Sequence, residues 1–246
     1  MIEKKILIKP HAQWIKYFYR WISYYIGLVL LKLPVTPNFI TIIRIPIVCY
    51  ASFLIISNNT FDHYLSAFLL FNFSFFDALD GTVAQMKNKH SMMGRWLDPQ
   101  TDRFGMLIIF SFVSYRLFLE NADFISTWLT MTTMIMYYHR GMLISDISYK
   151  PKFVDLKNYY PEKINSHTRP KNQSKTKKTN FVFSFLSQLF LQTAPHTHNV
   201  IIYLIIGLLF DELLLLIAFL NVYFIFWYLY DSIKIVKKIY YFDRKD

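Results

Sequence analysis

Apolar blocks long enough to cross a bilayer, cut by short polar breaks, constrain this chain more than any other feature. Six blocks read as spans, at roughly 38–57, 61–85, 95–119, 123–148, 195–211 and 213–233. About 20 apolar residues cover the hydrocarbon core as an α-helix, and backbone in lipid must satisfy its own hydrogen bonds. The blocks are continuous and lack the two-residue alternation of a barrel strand, which sets a β-barrel aside. With 54% hydrophobic residues and only six glycines, the chain is not loop-rich or of low complexity. The sequence therefore predicts a single all-α integral membrane domain over residues 1–246.

Ahead of the first span, residues 11–33 place Trp14, Phe18, Trp21, Tyr25 and Leu28 on one helical face, with Lys16 and Arg20 on the other. That is the pattern of an amphipathic helix lying in the membrane interface; a short extra span is the alternative. Lys32, Pro34 and Pro37 break it before the next block. The opening MIEKKILIKP has only a three-residue apolar run before Lys9 and Pro10, so no signal peptide is expected. "SNNT" supplies a short turn between the first two spans.

Charge placement orients the bundle. The breaks after the first, third and fifth spans carry Asp62, Glu120, Asp123, Asp211 and Glu212 and no lysine or arginine, although Arg116 lies one turn inside the third span. The other side carries Lys4, Lys5, Lys9, Lys87, Lys89, Arg95, Lys234, Lys237, Lys238, Arg244 and Lys245. It also carries the stretch Lys150–Asn180, with nine basic and two acidic residues. By the positive-inside rule both termini are cytoplasmic, and the number of spans is even. Residues 36–148 then hold four spans, 150–180 a basic cytoplasmic loop, and 181–246 the last two spans and a basic tail. Phe181–Leu191 either joins the fifth span or forms an amphipathic lead-in. The net charge of +11 fits cytoplasmic loops and anionic lipid head groups. Nucleic acid is not an expected partner, because no basic globular domain is present. The basic loop is a solvated, topology-fixing segment or a surface that holds anionic lipid near the site. Cys49, the one cysteine, allows no intrachain disulfide.

Against this apolar background stands "DALDGTVAQMKNKHSMMGRWLDPQTD", residues 77–102. Asp77 and Asp80 are three apart and Asp98 and Asp102 four apart, so each pair shares a helical face. At 100° per residue Asp77, Asp80, Gly81 and Ala84 fall within about 100° of one another, and Gly94, Asp98 and Asp102 within about 80°. Two helices joined by a short basic turn thus each present two carboxylates beside small residues. One aspartate at a membrane-helix centre costs about 2.5–3.5 kcal/mol, so protonation or cations must offset the charge. Hard divalent ions with oxygen ligands do this naturally, and two of them can clamp a phosphate undergoing in-line displacement. Glycine and alanine let a bulky group approach the backbone. Interfacial salt bridges to Lys87, Lys89, Arg95 and Arg103 would account for one or two of the aspartates, but not for the registry of both pairs. A channel or transporter would also use intramembrane carboxylates.

At these residues the chain resembles the CDP-alcohol phosphotransferase family, whose pattern is D-x2-D-G-x2-A-R-x8-G-x3-D-x3-D. Asp77, Asp80, Gly81, Ala84, Gly94, Asp98 and Asp102 match seven of its eight positions, and "TPNFIT", with Asn38 and Thr41, matches a second family feature. Gln85 stands where the family has arginine, a departure that leaves open a non-catalytic relative. Lys87, Lys89 and Arg95 are the nearby charges that could replace it. The resemblance implies six spans after an interfacial helix and a cytosolic site with two divalent ions, Mg²⁺ or Mn²⁺. It implies a CDP-linked donor, usually CDP-diacylglycerol, and an alcohol acceptor, with CMP released in phospholipid biosynthesis. Asp77, Asp80, Asp98 and Asp102 would be metal ligands, and Asp102 also the general base. Asn38, Thr41, Asp80, Gly81, Ala84, Gln85 and Gly94 would line the nucleotide site. Many members of this fold are dimers, so a homodimer is an expectation of the same kind. If the source is bacterial, the inner membrane is the expected location.

The acceptor is less legible. Glycerol 3-phosphate, inositol or its phosphate, serine, or another head group all remain open. Arg103, directly after the last aspartate, and Arg140 in "HRGMLISDI" are the expected acceptor-binding residues, with His139 structural. A snorkelling role near the end of its span is the alternative for Arg140.

Overall fold

The computed structural model describes residues 14–88, 91–148 and 196–243. Among the described residues there are seven helices: α1 (Trp14–Leu30), α2 (Pro37–Ile55), α3 (Thr60–Met86), α4 (Met92–Asn121), α5 (Phe124–Ser148), α6 (Thr197–Leu209) and α7 (Leu213–Asp243). No strand occurs among the described residues.

Local chemistry sets the helix starts. Thr36 caps α2, its Oγ1 accepting from the Phe39 N–H at 3.3 Å, and Pro37 takes the first helical position, where no N–H is needed. Asn59 caps α3 by accepting from Phe61 N–H at 3.1 Å. Ser91 caps α4 by accepting from Gly94 N–H at 2.9 Å. Pro46 and Pro99 lie inside α2 and α4, where each removes one backbone donor.

Among the described residues four helices are long and apolar enough to cross a membrane: α2, α3, α4 and residues Leu213–Val236 of α7. The six expected spans are therefore not all matched, for two physical reasons. α6 has 13 residues, a rise of about 20 Å against a hydrocarbon core of about 30 Å. α5 has 25 residues but carries Thr127, Thr130, Thr132 and Thr133 and, more polar still, His139, Arg140 and Asp146. The hydroxyls of Thr130, Thr132 and Thr133 are used internally. Thr130 and Thr133 donate to carbonyls one turn back, and Asn221 of α7 donates to Thr132 Oγ1 at 2.5 Å. The basic loop 150–180, the segment Phe181–Leu191 and the last lysine and arginine of the tail lie outside the described residues.

Within the bundle, close approach and polar ties hold helices together, since lipid provides no hydrophobic drive for one helix to meet another. Ser66 donates to Ala51 O at 2.8 Å between α3 and α2. A Cβ on Gly105 of α4 would lie 2.4 Å from Phe73 Cζ of α3, so only glycine admits that ring. A Cβ on Gly207 would likewise meet Leu216 at 2.6 Å. Phe68, Phe124, Leu215 and Val222 point outward, at 63–72% exposure, as expected of surface that meets lipid.

α1 packs on α3 through Ile15, Tyr19, Ser23 and Gly27, a buried stripe at four-residue spacing. A Cβ on Gly27 would meet Met86 Sδ at 2.7 Å. The predicted aromatic face is left outward: Phe18, Trp21, Tyr25 and Leu28 are all exposed.

Candidate active site

α2, α3 and α4 converge near the C-terminal half of α3 and the N-terminal half of α4, bringing all four aspartates together. At the centre lies Arg44 of α2, fully buried. Its Nη1 is 3.0 Å from Asp77 Oδ1, 3.1 Å from Asp98 Oδ1 and 3.9 Å from Asp80 Oδ2, and its Nη2 pairs with Asp102 Oδ1. Nε donates to Phe73 O at 3.2 Å, and the guanidinium lies 4.7 Å over the Phe73 ring. Gly105 backs the other part of that ring, so the glycine that lets α3 and α4 approach also fixes the floor under the arginine.

A second basic residue reaches the cluster from α6. His198 Nε2 lies 3.1 Å from Asp77 Oδ2, and its Nδ1 lies 2.6 Å from Ser74 Oγ. Tyr19 of α1 packs edge-on against the imidazole at 5.6 Å. Asp77 is thus held at both oxygens. Asp80 is held differently: Thr41 Oγ1 donates to its Oδ2 at 2.6 Å, tying the "TPNFIT" segment to the first aspartate pair.

Beside the carboxylates opens a cavity of about 210 Å³. Its lining includes Asn38, Thr41, Asp80, Gly81, Ala84, Gln85 and Gly94, together with Pro37, Ser91 and Asp98. All seven residues expected at a nucleotide site therefore surround one space. The two glycines differ in what they provide. A Cβ on Gly81 would meet nothing within 4 Å, so that position opens the cavity. A Cβ on Gly94 would come 2.8 Å from Asn38 Oδ1, so that glycine makes room for the asparagine, not for a ligand.

The remaining expected residues separate. Arg103 is exposed beside Asp102, and its backbone oxygen accepts from the Tyr138 hydroxyl. Arg140 is buried, with Nε 2.8 Å from Asp231 Oδ2 of α7 and its guanidinium 5.5 Å over Trp227. Lys87 is committed to backbone: its Nζ donates to Leu33 O at 2.8 Å and Val35 O at 2.6 Å, bracing the link from α1 to α2. Lys89 and the Arg95 side chain lie outside the described residues.

The donor set fits a divalent cation. Asp77, Asp98 and Asp102 each offer an oxygen, and the three lie within 4.8 Å of one another. Asp80 is not in that group. One guanidinium against four ionised carboxylates would leave a formal charge of −3, and Asp98 is the most open of the four at 48% side-chain exposure. Hard oxygen ligands with excess negative charge suit Mg²⁺ or Mn²⁺.

Arg44 and His198 do not figure in the reading of the sequence. For Arg44 a signal exists: a lone arginine inside an apolar span, one turn after Thr41, is costly unless partnered. His198 gives no such signal, because its partners are brought by tertiary structure.

The model of the CDP-alcohol phosphatidyltransferase family matches residues 34–227, from the link before α2 well into α7. No curated protein matches the chain significantly. Among solved structures, a phosphatidylinositol phosphate synthase of Mycobacterium tuberculosis with CDP-DAG bound is similar in fold. The TM-score is 0.56 over 86% of this chain and 92% of that one, at 14% sequence identity. The match takes in every helix that brings a carboxylate, the arginine or the histidine to the cluster, and the chain belongs to the CDP-alcohol phosphatidyltransferase family.

Proposed function

We propose that this protein transfers the phosphatidyl group of CDP-diacylglycerol to a small alcohol and releases CMP, in a divalent-cation-dependent reaction of phospholipid synthesis. The observation that carries this reading is one cavity lined by all seven residues expected to hold a nucleotide, which meets through Asp80 and Asp98 an acidic cluster with three carboxylates in excess of its arginine. That the fold neighbour carries CDP-DAG supports the choice of donor.

In this reading Asp77, Asp98 and Asp102 hold the cation, with Asp80 at the nucleotide edge beside Thr41. Bound Mg²⁺ or Mn²⁺ would supply positive charge to the diphosphate and acidify the attacking alcohol. Asp102 keeps one oxygen on Arg44 and takes the alcohol proton on the other. The alcohol oxygen attacks the β-phosphorus, the bond to the bridging oxygen breaks, and CMP leaves with that electron pair. Asn38 and Thr41 face the nucleotide phosphates, while Gly81 and Ala84 leave space for the cytidine. Arg103 contacts the acceptor. Arg140 is bound to Asp231 and Trp227, so it acts there only indirectly. The exposed aromatic face of α1 lies in the membrane interface, and the site and both termini face the cytoplasm. A homodimer is compatible with the outward apolar faces.

A second reading is a relative that has lost turnover, or a transporter that uses the same carboxylates. Gln85 favours it, because a neutral amide lines the cavity where the family has arginine. CMP release from CDP-diacylglycerol by the purified protein separates the two, with acceptors added singly and Mg²⁺ or Mn²⁺ present. We expect one acceptor to drive release, and a chelator or Asp102→Asn to abolish it. Tight, cation-dependent binding of donor with no release under any acceptor would favour the second reading.

A further inference from the structure

The acidic cluster is assembled by α2, α3 and α4, yet one of its contacts comes from α6. His198 is 5% exposed and engages both ring nitrogens. A carboxylate only accepts, so Nε2 carries a proton and donates to Asp77 Oδ2; in the neutral ring Nδ1 then accepts from the Ser74 hydroxyl. Ser74 lies one turn before Asp77 on α3, so the histidine returns to the helix that carries the carboxylate it contacts. Asp77 Oδ1 is taken by Arg44. With both oxygens held, the carboxylate has neither free rotation nor a choice of face. Oδ2 retains a second lone pair, so donation from His198 does not exclude a cation.

We propose that His198, fixed by Ser74, is a positioning residue that sets the orientation of Asp77 for cation binding. This rests on the reading of Asp77, Asp98 and Asp102 as a cation site. A histidine that only tied α6 to α3 would affect stability and leave cation affinity alone. One that orients a ligand affects affinity, since loss of an outer-shell partner typically costs about 10–100-fold.

The test is Mn²⁺ binding to the full-length purified protein, read from the free-Mn²⁺ electron paramagnetic resonance signal without substrate, beside thermal melting. His198→Met should raise the Mn²⁺ dissociation constant about 10–100-fold. His198→Gln, which places an N–H near the Nε2 position, should restore it to within a few-fold. Ser74→Ala should weaken binding a few-fold. Ser66→Ala, which cuts a tie between α2 and α3 elsewhere, should lower the melting temperature and leave Mn²⁺ affinity unchanged. A folded His198→Met protein with wild-type affinity overturns the proposal. If that variant does not fold, Ser74→Ala with wild-type affinity overturns it. Wild-type protein that binds no Mn²⁺ overturns both this role and the cation site on which it rests.

Discussion

Two buried arginines sit at opposite ends of the same bundle, and they solve opposite problems. Arg116, near the end of α4, contacts Glu120 at 2.5 Å, Asp211 in the α6–α7 turn, Ile55 O at 3.3 Å and His63 Nε2 at 2.9 Å. Its two carboxylates reach water, at 38% and 70% side-chain exposure. They ask nothing more of their surroundings, and the arginine ties three chain turns together. Arg44 meets four carboxylates, of which Asp77 and Asp80 are only 13% and 8% exposed. One guanidinium cannot neutralise them. A buried arginine alone therefore does not mark a functional site; an excess of buried carboxylates around it points to one, because that excess must be offset by protonation or by a cation from outside the chain.

The sharpest way to break this comparison is at the base. Asp102→Asn should lower turnover by about 10²–10⁴-fold, the usual range for a positioned proton acceptor, with the fold intact by thermal melting. Asp211→Asn at the other end should leave turnover within about twofold, since Asp211 shares no partner with the acidic cluster and distant sites act independently. Next come the arginines themselves. Arg44→Met leaves the acidic cluster without its internal cation and should cost about 3–5 kcal/mol of stability in chelator. Mn²⁺ should recover much of that loss. Arg116→Met should cost about 1–3 kcal/mol, the scale of lost hydrogen bonds to a charged group, and Mn²⁺ should recover none of it. Equal cation dependence in the two melts would erase the distinction.

A third effect is smaller. Lys87 is bound to the carbonyls of Leu33 and Val35 and does not replace the charge missing at Gln85. Gln85→Arg should therefore tighten CDP binding about tenfold, roughly 1.4 kcal/mol. Unchanged affinity in a calorimetric titration would mean that another residue already supplies that charge. Smallest is Gly94→Ala, whose Cβ would come 2.8 Å from Asn38 Oδ1 and force that side chain to shift. It should weaken CDP binding by a few-fold, about 1 kcal/mol.

What the sequence makes legible follows from periodicity. The aspartate pairs, Gly81, Ala84 and Gly94 can be placed on helical faces because 3.6 residues per turn fixes their registry over short distances. Span number is less legible. α5 bonds the hydroxyls of Thr130 and Thr133 to its own backbone and accepts at Thr132 from Asn221, contacts no hydropathy sum contains. The partners of Arg44 come from two other helices, and those of His198 from a helix more than a hundred residues away in sequence. Gly94 illustrates the same limit: its spacing marks it as part of the site, but only the neighbouring Asn38 amide shows what the missing side chain makes room for.

The central claim is that the excess of carboxylates around Arg44 is a cation site on which a nucleotide diphosphate binds. Equilibrium binding of CDP-diacylglycerol to the purified protein, with Mn²⁺ and then with chelator, tests it most directly, with Asp77→Asn/Asp98→Asn alongside. The account predicts binding that requires Mn²⁺ in the wild type and is lost in the double variant. Binding of equal strength in chelator, or in the double variant, would contradict it.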